Sequence, residues 1–396
     1  MTVITTDLLS KEGARIFHNK AVYCKLMNKD HQSDFNGPIK TGTSVRVRRP
    51  SKWSIRSGNS FTTETALETY NTLTIGDPKG VDTTFTNDEM NLSLDNMSER
   101  IIKPQMSRLV AGVDSDLMNQ GANVAQTYQN AASTSLAYAD VINMRARMVE
   151  QALPQGEELY LFANPTDQVQ LLSDTKGLFQ NSNEIGGQYT SGMMGKFGGF
   201  NWVETNLLDT ITPPATDVAG TVNGTVANGG TNLVVAGFNA AEVIPKGAVV
   251  TVAGVYAVNP ETKKTLTTLA PLRVTASVTL SGGAGTLVVQ PMYDSTDSRQ
   301  NVSAMPQDTV VVTVVGTAGT AYNQNLATHK DAFTIAFVDQ EVPNGTDNAS
   351  KSTVDGMTLR FVREWDFDAN TWKSRWDVQY GGCGLMEPWS GILSNF

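Results

Sequence analysis

The feature that most constrains the fold of this chain is a change of composition between about Thr212 and about Ala327. Across this segment Thr, Val, Gly and Ala dominate, charged residues are rare, and no helical periodicity is visible. Short apolar runs divided by Gly, Pro and Asn are typical of the strands of a small barrel or sandwich. We therefore predict a separate β domain here, with these candidate strands: TNLVVAG, AVVTVAGVYAV, LRVTASVTL, GTLVVQ and DTVVVTVVG.

This β segment interrupts another domain, because helix and strand patterns alternate before it and resume after it. Inside it, residues 292 to 301 read MYDSTDSRQN, a polar stretch that is rich in turn-forming residues. Such residues between two strands predict a loop. We expect this loop to project from the β domain.

A long helix is predicted well before the β segment. Thr86 and Glu89 form a capping box, and apolar residues then recur at helical spacing as far as Leu117. The apolar row changes face beside Pro104, and proline is a common cause of helix bends. The sequence therefore predicts one long helix with a bend at Pro104.

Two further helices and a strand are predicted between this helix and the β segment. The next helix starts near Ser135 and is stopped by Pro154. The run ELYLFA is typical of a buried strand. Asn164 followed by Pro165 predicts the start of a short helix, PTDQVQLL, with Asn164 as the N-cap and proline in the first turn.

The amino-terminal part contains an arm and a charged hairpin. Residues 1 to about 35 show neither a sustained helical nor an alternating period, so we interpret them as an arm. Alternation begins at Thr43 and predicts a long hairpin with a basic outgoing limb and an acidic return. The hairpin is either solvated or lies on another subunit, and the pattern leaves both open. Its charged residues are Arg46, Arg48, Arg49, Lys52 and Arg56 on the outgoing limb, with Glu64 and Glu68 on the return.

Three strands are expected after the β segment, in HKDAFTIAFVDQEVP, MTLRFV and WKSRWDVQYGG. In the last of these, Trp372, Trp376 and Tyr380 alternate with charged or polar residues, which predicts a half-buried strand with one polar face. The last two strands flank DFDANT, which is typical of a hairpin turn.

Composition excludes several classes of protein. Charged residues make up 17% of the chain and the formal net charge is -9, so the chain has no general attraction for nucleic acid or for an anionic membrane. Cys24 and Cys383 lie far apart and match no metal-ligand spacing. The sequence shows neither a leader peptide nor a membrane-spanning run, and we interpret it as a soluble, cytoplasmically made protein.

Motifs for catalysis or cofactor binding are absent from the sequence. A phosphate loop requires Ser or Thr directly after its lysine, whereas Phe197 follows Lys196 in GMMGKFGGFNWVETNLL. The Gly198 and Gly199 pair instead predicts a turn that leads into a strand. The carboxylates near Asp366 lack the glycine and the helices of a calcium loop. We therefore predict no cofactor, no metal and no enzymatic activity.

Three segments, in this order, carry a resemblance to a known family. They are LFANPTDQVQLL at 161–172, GKFGGFNWVETNLL at 195–208 and HKDAFTIAF at 329–337. Together with the order of the elements, they make the chain resemble the major capsid (coat) proteins of tailed bacteriophages, which have the Hong Kong 97-like fold. The segment KGAVVTVAGVYAVNPETKKTL at 246–266 is similar to the inserted domain of the coat proteins of the short-tailed Salmonella phage type.

The resemblance implies an α+β fold with an added β-barrel. It also implies a domain order: an N-terminal arm at 1–35, an extended loop hairpin at 36–80, the spine helix and peripheral domain at 81–158, the first half of the apical domain at 159–211, the inserted β-barrel domain at 212–327, and the second half of the apical domain with return strands of the peripheral domain at 328–396.

The function implied by the resemblance is self-assembly into pentamers and hexamers of an icosahedral virion shell around double-stranded DNA, which is held without sequence-specific binding. The shell would form in the host cytoplasm through a scaffold-directed procapsid. The implied partners are other copies of the chain, a scaffolding protein, a portal protein and, as an option, a decoration protein, but no membrane. A tail-tube or other β-rich virion protein is the alternative, although it leaves the long helix unexplained.

Candidate contacts between subunits come from the hairpin and from the polar loop. We expect the hairpin arginines to form salt bridges with a neighbouring subunit, and the resemblance implies that the loop around Asp294, Asp297 and Arg299 reaches across a local two-fold axis. Basic residues of the arm either contact scaffold or are simply solvated. These arm residues are Lys11, Arg15, Lys20 and Lys25.

Overall fold

The computed structural model forms two compact units. The first consists of residues 1–48, 70–118 and 333–385, and the second of residues 49–69, 119–332 and 386–396. The structure describes residues 6–36, 42–55, 58–59, 63, 68–85, 98–131, 135–154, 158–175, 195–342, 348–368 and 371–395.

The chain combines α-helices with many short strands. The α-helices are Thr6–Lys20, Tyr23–Leu26, Ser33–Asn36, Lys103–Val124, Tyr138–Glu150 and Pro165–Thr175. The strands are β1 (Ser44–Arg48), β2 (Tyr70–Thr74), β3 (Lys79–Phe85), β4 (Thr127–Asn130), β5 (Leu159–Ala163), β6 (Lys196–Phe197), β7 (Phe200–Glu204), β8 (Ala219–Val222), β9 (Asn232–Ala236), β10 (Val243–Ile244), β11 (Val249–Val252), β12 (Tyr256–Val258), β13 (Thr265–Leu269), β14 (Leu272–Val274), β15 (Val278–Thr279), β16 (Gly285–Gln290), β17 (Val311–Val314), β18 (Asn325–His329), β19 (Phe333–Phe337), β20 (Ala349–Val354), β21 (Met357–Asp366), β22 (Thr371–Val378), β23 (Tyr380–Gly384) and β24 (Ser390–Ser394).

The amino-terminal segment corrects a prediction, because Thr6–Lys20 is a regular helix and not an irregular arm. Its buried face is formed by large residues one and two turns apart, Leu9, Ile16 and Phe17, with small residues between them. Gly13 is one of these small residues. Periodicity in large apolar residues alone misses such a face, since several of its positions carry Ser, Gly or Ala.

A four-stranded antiparallel sheet forms the centre of the first unit, in the order β20-β21-β22-β3. The amino-terminal helix packs against β20 and β21. Phe361 on β21 is the register partner of Trp376 on β22, and their ring centroids lie 4.4 Å apart under this helix. The predicted hairpin between the last two long strands is thus confirmed. Asp377 departs from the expected polar face, because it is buried and accepts bonds from Arg360 and Arg375.

In the described residues, the long helix comprises a π-helical turn at Ser98–Ile102 and an α-helix from Lys103 to Val124. The backbone therefore changes its hydrogen-bond pattern one residue before Pro104, the position at which the sequence predicted a bend. Met106, Val113 and Leu117 on this helix are fully buried. The predicted beginning of the helix, at Thr86, lies outside the described residues.

The predicted charged hairpin is present as β1 paired antiparallel with β2, from Ser44 opposite Thr74 to Arg48 opposite Tyr70. One face is buried because Val47 and Leu73 pack into a small cluster with Ile75. The alternate positions of the outgoing strand are exposed, as the period of two requires.

The second unit contains a six-stranded sheet in the order β4-β24-β18-β5-β7-β6. The buried strand predicted at ELYLFA is confirmed as β5, all of whose residues are buried. The helix after it starts as predicted, because the Asn164 side-chain oxygen accepts a bond from the Thr166 amide at 3.0 Å. Met144 and Met148 of the preceding helix pack in the core of this sheet.

The second unit also contains a closed antiparallel barrel, in the order β11-β14-β16-β9-β8-β17. Its interior is lined by fully buried aliphatic side chains such as Leu233, Val250, Leu287 and Val312. Three of the predicted strand segments each contain one barrel strand. AVVTVAGVYAV and LRVTASVTL are each divided into two shorter strands, the first at a turn containing Gly254 with φ +76°.

The chain enters and leaves the barrel segment at neighbouring positions. Ile211 and Tyr322 form an isolated antiparallel bridge, with N···O distances of 3.0 and 2.9 Å between their backbones. The segment between them therefore starts and ends at one point of the second unit.

Candidate intersubunit surface

The hairpin presents part of its predicted basic face to solvent. Arg46 and Arg48 lie on the exposed positions of β1, and the Arg46 guanidinium stacks 4.6 Å from the centroid of the Tyr70 ring. Such stacking holds a cation without neutralising it. Glu68 on the return side is exposed. Arg56 and Glu64 lie outside the described residues.

Arg49, the next residue, lies in the second unit and contacts an acidic group of its own chain. Its guanidinium forms an ion pair with the carboxylate of Glu387, a residue of the short turn before β24. Glu387 is 1% exposed, and the same carboxylate oxygen accepts a bond from the Gln290 side-chain amide at 3.1 Å. A buried carboxylate requires such partners, since an isolated buried charge is strongly unfavourable.

Lys52 lies in the field of the same carboxylate and of a second one. Desolvation lowers the pKa of the Lys52 amine, the positive charges of Lys263 and Arg49 lower it further, and the carboxylates of Asp294 and Glu387 oppose this change. Desolvation likewise lowers the pKa of Lys263, whose amine donates to the Ser298 backbone carbonyl at 2.6 Å. Desolvation is thus the main reason that both amines have a lowered pKa.

The polar loop at 292–301 corrects the prediction of a projecting loop. Tyr293 and Asp294 are buried, and the Asp294 carboxylate accepts bonds from the Thr296 amide at 3.1 Å and from the Asn228 side chain at 3.3 Å. Arg299 forms an ion pair with the same carboxylate at 3.1 Å. The Asp294 carboxylate, which the sequence predicted to be solvated, thus binds groups on both sides of it and draws the loop inward. The side chain of Asp297 is not among the described groups.

Electrostatic interactions of Lys52 with Asp294 and Glu387 link residues of both predicted sites. We call them the charge cluster, which consists of Arg49, Lys52, Lys263, Asp294, Arg299 and Glu387. Four cations and two carboxylates leave an excess of positive charge in a chain whose net charge is -9. Sequence reasoning missed Lys263 and Glu387, because neither lies near a predicted site in sequence. Glu387 is 338 positions from Arg49.

The glycine pair at 198 and 199 forms the two-residue turn between β6 and β7. Both residues have positive φ, 59° and 86°, which favours glycine. A Cβ at Gly199 would also lie 2.6 Å from the guanidinium carbon of Arg145. This turn therefore requires glycine for its backbone geometry and for packing.

Neither a metal cluster nor a membrane span is found in the part of the chain that the structure describes. No three His, Cys, Asp or Glu side chains among those residues are placed to share an ion. No described helix is both long and apolar enough to cross a bilayer.

Comparison with known families gives the class of this mixed α/β chain as a bacteriophage major capsid protein. The family model described as P22 coat protein - gene protein 5 matches residues 39–392. Because this match covers most of the chain, the protein belongs to the P22 coat protein family. Comparison with curated proteins finds no sequence match.

Several solved phage capsid structures are similar to this chain at low sequence identity. A structure from Mycobacterium phage Che8 has a TM-score of 0.48 and 11% identity, covering 94% of this chain and 90% of its own. The capsid structure of Cyanophage P-SCSP1u has a TM-score of 0.45 and 12% identity, covering 93% and 86%. The procapsid of satellite phage P4 including its size determination protein has a TM-score of 0.37 and 8% identity, covering 96% and 97%.

Proposed function

We propose that this coat protein assembles into the pentamers and hexamers of an icosahedral shell that encloses phage double-stranded DNA, through a procapsid built on a scaffolding protein. The observation that carries the proposal is the match of the coat protein family over residues 39–392. A shell subunit requires many weak, directional contacts, because multivalent closure converts modest pairwise affinities into a stable particle.

The proposed layout is Hong Kong 97-like, with the barrel as a domain inserted at 212–327, as in the short-tailed Salmonella phage type. Two features support this layout. The six barrel strands close on themselves, and the chain enters and leaves beside the Ile211–Tyr322 bridge. We further propose the domain boundaries 1–35, 36–80, 81–158, 159–211, 212–327 and 328–396, with a helix inside the first of them.

The hairpin is proposed as the main contact with a neighbouring copy. Trp53 and Ile55 beyond β1 are 59% and 95% exposed, and Arg46 and Arg48 are exposed on β1 itself. A subunit interface of standard size buries roughly 800 Å² on each partner. The exposed apolar and basic side chains of the hairpin offer surface for such an interface. The proposed contacts extend to the loop around Asp294, Asp297 and Arg299, as the resemblance to the coat proteins implies.

Scaffolding protein is proposed to bind the exposed cations of the amino-terminal helix. Lys11 and Arg15 face solvent in ion pairs with Asp7 and Glu12 of the same helix, and Lys20 donates to the Ser107 hydroxyl at 3.0 Å. Exposed pairs of this kind are weak and exchange readily for the carboxylates of a partner. A portal protein, packaged DNA held without sequence recognition and an optional decoration protein complete the proposed partners.

Electron microscopy tests the proposed function. The chain is produced in bacteria alone and together with the neighbouring genes of its phage, and the particles are imaged in negative stain. Uniform closed shells, formed alone or only with a scaffolding gene present, are expected. Monomers under every condition would contradict the proposal, and open tubes of uniform width would indicate a tail-tube protein.

Charge reversal tests the hairpin. Reversal of Arg46, Arg48 and Arg56 is expected to abolish shells while the subunit still folds; Arg49 is left unchanged because it pairs with the buried Glu387 of its own chain. The control reverses exposed lysines elsewhere, namely Lys196, Lys264 and Lys330. Normal shells from the arginine variant would remove the hairpin from the proposed interface.

A further inference from the structure

The contact between Arg49 and Glu387 joins two unlike partners. Glu387 is fixed and buried, whereas Arg49 lies at the start of the hairpin segment that follows β1. The turn that bears Glu387 is held by its backbone carbonyl, which accepts a bond from the Gln126 amide at 3.3 Å, and its carboxylate is held by Gln290. The Arg49 side chain is a quarter exposed. The arginine is therefore the half of the pair that can leave.

Apolar packing does not hold the residues just beyond Arg49. Trp53 and Ile55 are exposed, and backbone pairing is continued past β1 by the Arg49 amide, which donates to the Thr69 carbonyl at 2.8 Å. A segment with its large apolar side chains in solvent gains little from burial in its own chain. Polar contacts therefore hold this segment in the second unit, and the Arg49–Glu387 ion pair is one of them.

The charges around the hairpin segment both attract and repel it. Lys52 is attracted by Asp294 and Glu387 and repelled by Lys263 and Arg49, and Arg299 adds a further cation beside Asp294. The excess of cations weakens the hold on the hairpin, since like charges at short range oppose one another. Because attraction and repulsion partly cancel, the hairpin segment can leave the charge cluster. With equal numbers of cations and carboxylates, the cluster would retain the segment.

We propose that Arg49 and Glu387 form a cis latch that holds the hairpin segment 49–55 on its own chain in the free subunit and that opens when the hairpin engages a second copy. The inference rests on the proposed role of the hairpin in subunit contacts. A closed latch lowers the fraction of subunits that are competent to bind, and the apparent affinity between subunits falls by that fraction. The latch thus acts as an autoinhibitory contact that slows premature assembly.

Glu387→Gln is the decisive variant, because it removes the charge of the buried partner, keeps a similar shape and leaves Arg49 intact for a neighbouring copy. Purified free subunits, with scaffolding protein where assembly requires it, are mixed at low ionic strength and followed by light scattering. Assembly is expected to be about three- to tenfold faster than for the unchanged chain. Hydrogen exchange of residues 49–55 in the free subunit is expected to increase in the variant.

Two further variants keep the test decisive. Glu204→Gln makes the same chemical change at an exposed position of β7 and is expected to leave both readouts unchanged. Glu387→Asp keeps the buried charge but shortens the side chain, so it is expected to fold and to show an intermediate acceleration even where the glutamine variant does not fold. Added salt is expected to accelerate the unchanged chain more than Glu387→Gln, because the charge of the latch is already absent from the variant.

The outcomes separate the latch from the proposed function. Equal assembly rates for the unchanged chain and both Glu387 variants, with normal shells from each, would overturn the latch and leave the coat function intact. Slower assembly of folded Glu387→Gln would also overturn it, because the ion pair would then belong to the assembled shell. If even the unchanged chain formed no shells under any condition, the proposed function itself would fail.

Discussion

Gly13 lies directly against the indole of Trp376, so that a Cβ at this glycine would stand 2.5 Å from the Trp376 Cζ3 atom. Leu359 lies 3.4 Å from the same point. The helix can approach the sheet this closely only because residue 13 has no side chain. This approach places Phe17 and Ile16 in the core and attaches the amino-terminal segment to the first unit.

Gly13→Ala is expected to lower the free energy of unfolding by about 2 kcal/mol, because the tryptophan is fixed between Phe361 and the helix and cannot move away. Chemical denaturation of the free subunit measures the change. Gly112→Ala in the long helix is the matched control, since a Cβ there meets nothing within 4 Å. That variant is expected to gain about 1 kcal/mol from helix propensity. If Gly13→Ala and Gly112→Ala changed the free energy of unfolding equally, the helix would not be packed on Trp376.

Glu242 holds the chain where it enters the barrel. Its carboxylate accepts bonds from the Ala215 amide at 2.7 Å, the Thr216 amide at 2.8 Å and the Thr216 hydroxyl. The bond from the Thr216 side chain is the largest of the effects that lower its pKa below 4.5. A carboxyl with a lowered pKa stabilises the fold above its unfolded pKa, and this stabilisation is lost as the pH falls through the folded value.

Glu242→Gln is therefore expected to cost roughly 1 to 2 kcal/mol at neutral pH, because hydrogen bonds to a charged acceptor are replaced by weaker ones. The difference from the unchanged chain is expected to shrink as the pH is lowered below about 4.5. Thermal unfolding between pH 3 and 7 measures it, with Glu261→Gln at an exposed position as the control. A difference that stays constant over this range would rule out the carboxylate charge as its cause.

Arg273 is a fully buried cation that binds two backbone carbonyls. It donates to Ala125, just after the long helix, at 2.6 Å and to Gly247 at 2.5 Å. Burial lowers the pKa of its guanidinium, which nevertheless remains charged at pH 7. The carbonyls at a helix end carry partial negative charge and favour a cation there.

Arg273→Met is expected to destabilise the second unit by about 2 kcal/mol, because two buried acceptors lose their donor while the desolvation of the charge is relieved. Arg147→Met is the control, since Arg147 donates to the Tyr128 carbonyl from a half-exposed position. Its cost is expected to be below about 1 kcal/mol. Urea denaturation compares the stabilities of the two variants. If Arg273→Met left the free energy of unfolding unchanged, solvent would have to satisfy both carbonyls.

Asp294→Ala with Asp297→Ala is expected to give tubes or unstable procapsids. Because Asp294 is buried, this defect is expected to arise from a less stable subunit. The change leaves Arg299 and the Thr296 amide without their acceptor, at a cost of about 2 to 3 kcal/mol in the free subunit. Asp308→Ala removes an exposed acceptor of one backbone bond and serves as the control. A free subunit as stable as the unchanged chain, combined with defective shells, would assign Asp294 to a contact between copies.

Local pattern was sufficient for much of the fold. The five-residue buried strand at Leu159–Ala163, the cap at Asn164 and the hairpin of β21 with β22 each depend on residues that are near in sequence. The amino-terminal helix was missed because its buried face consists partly of small residues, whose meaning depends on the Trp376 ring that comes to lie over Gly13. Small residues such as Ser, Gly and Ala do not reveal from sequence alone which face of a helix is buried.

The charge cluster shows which contacts of the candidate site could not be predicted from the sequence. The basic limb of the hairpin was visible as a pattern, but the sequence contains no cue that joins Arg49 to Glu387 or Lys52 to Lys263. Asp294 was identified for its polarity, yet its burial follows from Asn228 and Arg299, which fold the loop inward. Composition identifies the charged residues, whereas the tertiary fold decides which of them meet.

The bridge between Ile211 and Tyr322 has a consequence for how such chains diversify. A segment whose two ends lie side by side can be gained, lost or exchanged as a block of the gene, because a short turn rejoins the remaining chain without moving either flanking strand. Descendants of one ancestral gene can thus differ by an entire barrel and still share the same surrounding architecture. Relatives that lack the barrel are expected to carry a compact turn at this position.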